Sequence, residues 1–149
     1  MVVPPELEGR VDRSVVFTDL LASPGSYKGR TIVVGGEVLS ATFLQDGTRI
    51  EVLQLPLGSL LEPVTERTAS EGRFLAVVRK PLDPATLPAG TRVTVVGEVT
   101  ESVTLPLDAR QYTYPTVEVK ALTVWPKLRA LYWYIPYHLV TPGAPPPGR

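Results

Sequence analysis

The 149-residue sequence contains no cysteine, which excludes disulfides, thiolate metal centres and a cysteine nucleophile within these residues. It has one histidine, His138. A histidine pair for zinc therefore cannot be assembled, and none of Ser14, Ser59 or Ser102 stands in a G-x-S-x-G elbow that would make a hydrolytic triad around His138. No G-x-G-x-x-G or G-x-x-x-x-G-K-[ST] loop is present to cradle phosphates. The sequence thus predicts no enzyme, no catalytic residue, no metal ligand and no cofactor. Fifteen basic residues balance fifteen acidic ones, so there is no long-range field to gather a polyanion or an anionic lipid surface. The opening "MVVPPELEGR" lacks the charged and apolar regions of a signal peptide. The longest apolar run, over residues 130–140, is broken by Pro136 and falls well short of the roughly 20 residues that span a bilayer.

What is present is the grammar of an all-β domain. Hydrophobic residues make up 44% and charged residues 20%, enough for a core within one domain of this length. Sixteen prolines and twelve glycines fall mostly between apolar runs, where they punctuate turns. Residues 1–13 read as a leader strand or tether. Phe17, Leu20 and Leu21 are at helical spacing, with Thr18 and Asp19 suited to a first turn and Pro24-Gly25 to a stop. From Thr31 the period becomes two. Gly35-Gly36 suggests a bulge or bend, and Asp46-Gly47 the positive φ angles of a tight hairpin before Thr48, Ile50 and Val52 turn to one face. Residues 57–71 read as an irregular connection, 72–78 as a third strand, 91–103 as a fourth and 112–125 as a fifth, with Pro115 at an edge or bulge. "VVGGEV" and "VVGEV" echo each other as core strands with a bend glycine rather than as a repeat. These elements suit a small five- to six-stranded OB-like β-barrel with one short helix, over residues 14–126.

Chemistry is sparse. Glu37, Glu51, Glu98, Glu101 and Glu118 lie mostly at polar positions of alternating strands, where a solvated face accounts for them better than a glycan-cleaving carboxylate pair. Arg49, Arg73, Arg79, Lys80 and Arg92 are scattered among acids. The strands offer few aromatics beyond Phe43, Phe74, Tyr112 and Tyr114, so the nucleic-acid face of an OB fold is poorly furnished. An OB module for a ligand or a single strand stays as the alternative reading, and a nucleic-acid partner is not expected. In the tail, residues 127–149, Tyr132, Trp133, Tyr134 and Tyr137 crowd together before a proline-rich end that reads as disordered. Amphipathic rings favour a boundary that is dry on one side, so these four are candidate contacts to a membrane surface, a second subunit or the barrel's own open end.

"YKGR" (27–30), "GG" (35–36), "GTRIEVLQLPL" (47–57), "GRFLA" (72–76), "PLDP" (81–84), "GTRVTVVGEV" (90–99), "YTYP" (112–115) and "WP" (125–126) together resemble the Slp family of starvation-inducible outer-membrane lipoproteins of Gram-negative bacteria. The resemblance spans residues 17–126. It implies a non-enzymatic, periplasm-facing domain anchored in the outer membrane through a lipidated N-terminal cysteine, serving as an interaction or structural module linked to stress or starvation. This sequence departs from that pattern in having no cysteine, so the export signal and lipobox are expected to have been removed and Met1 added. Pro81 stands where the family commonly carries an aromatic. No catalytic residue is carried over.

Overall fold

The computed structural model describes residues 1–126, in which two short helices, α1 (Pro5–Glu8) and α2 (Phe17–Ala22), precede seven strands. The strands are β1 (Thr31–Leu44), β2 (Gly47–Gln54), β3 (Arg73–Val78), β4 (Arg92–Val99), β5 (Val103–Leu107), β6 (Arg110–Tyr114) and β7 (Thr116–Trp125). On β2 the period of two is expressed directly: Thr48, Ile50 and Val52 are buried while Arg49 and Glu51 are half-exposed on the other face. The β1–β2 turn forms where the sequence places it, but by different means. Leu44 pairs with Gly47, and neither the turn residues Gln45 and Asp46 nor Gly47 takes a positive φ. Gly47 is required for space instead, since a Cβ there would lie 2.2 Å from the Val78 carbonyl oxygen.

Five strands close into a barrel in the order β1-β2-β3-β7-β4, with β4 returning to β1. All ladders are antiparallel except β3–β7, a parallel seam of three residue pairs. This is an all-β, OB-like barrel with only short helices. Curvature enters at two bulges, which leave Leu39 on β1 and Lys120 on β7 without opposite residues. The bulge on β1 is thus not at Gly35-Gly36, whose register with β4 is unbroken. Those two glycines let neighbouring main chains approach. A Cβ on Gly36 would meet the Leu53 carbonyl oxygen at 1.9 Å, and one on Gly35 the Val93 carbonyl oxygen at 2.6 Å. The two echoing segments lie on adjacent core strands, and in the β1–β4 ladder they meet at Val33–Val34 opposite Val96–Val95.

The core is aliphatic, with Val38, Ile50, Val52, Val93, Val95, Val99 and Val117 closed around Phe74. Leu20 of α2 is buried, and Phe17 meets Phe74 edge-on with centroids 6.2 Å apart, so α2 stoppers the end of the barrel where β1 and β3 begin. Leu82 and Leu87, from the connection between β3 and β4, fill the other end. Thr48 Oγ1 secures that plug by accepting from the Leu82 amide at 2.8 Å.

The leader residues 1–13 carry α1. Val3 is buried, Val11 bridges Thr31 in parallel, and the Asp12 amide donates to the Thr31 carbonyl at 2.8 Å. Asp12 accepts from the Ser14 hydroxyl at 2.6 Å, the Ser14 amide at 3.0 Å and Arg30 at 2.6 Å. These donors, the Ser14 hydroxyl foremost, hold its carboxyl down at about 2 against an ordinary 3.8.

Candidate interaction site under the β5–β6 hairpin

The sequence hides one pair of strands. The stretch between the expected fourth and fifth strands, with Val103 from the one and residues 112–114 from the other, folds into a separate hairpin, β5–β6, turning at Asp108 with φ 54°. The hairpin lies back over the outward face of the β1–β2–β3 wall, the face on which OB folds bind their ligands. Tyr112 and Tyr114 sit two apart on β6 and so project to one side, their rings 4.7 Å apart and tilted at 64°. Their hydroxyls fasten the hairpin. Tyr112 Oη accepts the Arg73 main-chain N–H at 3.0 Å, and Tyr114 Oη donates to Glu51 Oε2 at 2.7 Å. Gly72, with φ 146°, leaves room for the first of these, since a Cβ there would stand 2.7 Å from Tyr112 Oη.

Glu51 is the hub. Its Oε2 also takes Arg73 Nη1 at 2.7 Å, and its Oε1 takes Ser40 Oγ at 3.3 Å. Burial alone would raise the Glu51 carboxyl, but the donors from Tyr114, Arg73 and Ser40 together outweigh it and bring the carboxyl below its ordinary value. Burial, with the Glu51 carboxylate beside it, pushes the Tyr114 phenol up to about 12. The same carboxylate raises Arg73.

Beside this network a hollow of about 100 Å3 remains open. Its floor is two cross-strand pairs, Thr42 opposite Arg49 and Ser40 opposite Glu51. Leu105 and Pro106 of the hairpin form its roof, with Leu75 alongside. Arg49 makes no ion pair among the described residues.

Of the remaining carboxylates, Glu98 and Glu118 stand directly opposite each other in the β4–β7 ladder, and Glu118 is held by cations. Glu101 pairs with Lys28, and Glu118 with Arg79 and Lys120. Glu37 departs from the expected solvated position: it is buried and held by the fork of Arg67, whose Nε lies 3.0 and 3.1 Å from its two oxygens. No cluster of three or more histidine, aspartate or glutamate side chains that could hold a metal occurs among the described residues, and no helix among them is long and apolar enough to cross a membrane. Tyr132, Trp133, Tyr134 and Tyr137, the candidate membrane or partner contacts, lie outside the described residues, as do His138 and the proline-rich end. The hub of Glu51, Arg73 and Tyr114 escapes sequence reading because each member looks like an ordinary outward strand residue. The alternation of "YTY" beside Pro115 is the one signal of a second aromatic face.

Comparison with known proteins adds what the geometry does not. The chain is 32% identical over 106 residues to the uncharacterized lipoprotein YeaY of Escherichia coli K12, covering 71% of this chain and 54% of that protein. It is 29% identical over 96 residues to an uncharacterized Haemophilus influenzae protein, covering 64% of this chain and 52% of that one. It thus spans about half the length of the curated relatives it matches. Among solved structures it is similar to a small single-stranded DNA-binding protein of Streptomyces coelicolor, with TM-score 0.41 and 15% identity over 68% of this chain and 97% of that one, a likeness too slight to carry an argument. The model of the outer membrane lipoprotein Slp family matches residues 1–147, and the chain belongs to that family.

Proposed function

We propose that this barrel is the periplasm-facing domain of a lipid-anchored outer-membrane protein and acts without catalysis, as an interaction or structural module. The anchor is a lipidated cysteine, a residue type absent from these 149 residues, and the physiological setting is stress or starvation, as the family resemblance implies. The observation that carries the reading is the family match over residues 1–147. Support also comes from the inventory of the barrel: the strand carboxylates Glu37, Glu51 and Glu118 are matched to arginines, and its interior is aliphatic. That is how a sequence looks when its ionisable groups serve surface and strand pairing rather than a reacting centre. The four tail aromatics are the proposed contact to lipid or to a protein neighbour.

Metabolic labelling of the full-length gene product with an alkyne fatty acid, followed by membrane fractionation, tests the reading. The expected result is a labelled band in the outer-membrane fraction that protease reaches only after the outer membrane is opened. A product that takes up no label and remains in a soluble fraction would overturn it.

A further inference from the structure

The hollow under the hairpin has the furnishings of a binding site. It brings together a guanidinium with no ion-pair partner among the described residues, two hydroxyl side chains and an aliphatic roof. Two guanidinium groups, Arg49 and Arg73, stand about one carboxylate, Glu51, so the local charge is positive even though the chain is neutral. Glu51 is already engaged by Arg73 and Tyr114, which leaves Arg49 and the Thr42 hydroxyl opposite it as the donors facing the hollow. A guanidinium beside a hydroxyl suits an oxyanion, bound through parallel N–H···O bonds. Three features narrow the class. The volume admits a small group only, the neighbouring Glu51 disfavours a dianion such as phosphate, and Leu75, Leu105 and Pro106 favour an aliphatic substituent next to the charge.

We propose that the hollow between β1–β2 and the β5–β6 hairpin binds the terminal carboxylate of a peptide ending in a small aliphatic residue, with Arg49 and Thr42 on the carboxylate and Leu75, Leu105 and Pro106 on the side chain. The hairpin roof then serves as the wall that selects the substituent, and the Tyr112–Tyr114 fastening keeps that wall in place. The site belongs to the folded barrel alone and is independent of how the protein is anchored.

Titration of the 149-residue chain with N-acetylalanine, followed through its backbone amide NMR resonances, tests it. The expected result is saturable shifts confined to residues around Thr42, Arg49 and Leu105, with a dissociation constant in the millimolar range set by one small charged contact. N-acetylalaninamide, which keeps the methyl group and lacks the charge, should bind about tenfold more weakly, and Arg49→Gln should lower affinity for the acid by about the same factor. Equal binding of the acid and the amide, equal binding of inorganic phosphate, or shifts reproduced by chloride alone would overturn the proposal. Should Arg49→Gln fail to fold, Thr42→Val carries the test: a several-fold loss supports the assignment, and unchanged affinity rejects it.

Discussion

At the scale of single residues the barrel is set by where a Cβ cannot go. Gly36 faces the Leu53 carbonyl so closely that an added methyl has only main chain to push against, whereas Gly25 opens on empty space with an ordinary φ. Gly36→Ala should therefore cost about 2 kcal/mol or more, and Gly25→Ala should stay within about 0.5 kcal/mol of wild type, both read from urea unfolding. Asp12 and Tyr114 contribute to how stability changes at opposite extremes of pH. Asp12 is held at about 2 in the folded chain against an ordinary 3.8. Its contribution is complete above the ordinary value and is lost as pH falls through that interval, and Asp12→Asn should remove this part of the acid response. Tyr114 runs the other way: raised from 10.0 to about 12, it contributes fully below the ordinary value and loses that contribution as pH climbs toward 12. Denaturation midpoints across an alkaline series should fall more steeply for wild type than for Tyr114→Phe.

At the scale of elements, the β5–β6 hairpin depends on two hydroxyls. Tyr114→Phe removes a donor to a partly buried carboxylate and should cost about 1–3 kcal/mol. The loss should be local, with hydrogen exchange of the 103–114 amides accelerating far more than that of β4. No change in exchange there would mean that packing of Leu105 and Pro106 holds the hairpin without the tyrosines. This element is also where sequence reading stops. The strands β1 to β4 are legible because alternation, bounding glycines and a hairpin turn agree, and α2 is legible because Phe17, Leu20 and Leu21 share one face. The hairpin is not, because a proline falls within β5 and another between β6 and β7, and the period of two of Val103, Leu105 and Leu107 covers only five residues, too short a run to mark a strand apart from its neighbours. Its position is decided by tertiary bonds to Glu51 and Arg73, which local pattern does not encode. For the same reason Gly47 reads as a turn glycine although its work is to admit the Val78 carbonyl. The site under the hairpin inherits the gap: Arg49 and Glu51 are readable as outward residues, but nothing in the sequence says that Leu105 and Pro106 cover them.

At the scale of the whole molecule, charge balance and the covered face bear on the single-strand reading. The β2–β3 wall is occupied by the hairpin, and both hairpin tyrosine hydroxyls are spent within the chain. A titration with a fluorescent single-stranded oligonucleotide at low salt should therefore give no salt-dependent binding, and a steep salt slope would establish the opposite. The closure of the wall has a different consequence. Only three residue pairs join β3 to β7, while the other ladders are longer and antiparallel. Mild destabilisation should unzip that junction first, leaving one continuous curved ribbon, β3-β2-β1-β4-β7, with a bare rim at each extremity. Two such ribbons satisfy each other's rims by exchanging the contacts that one molecule makes with itself, so reciprocal dimers, detectable by light scattering, should accumulate at high protein concentration near the unfolding midpoint.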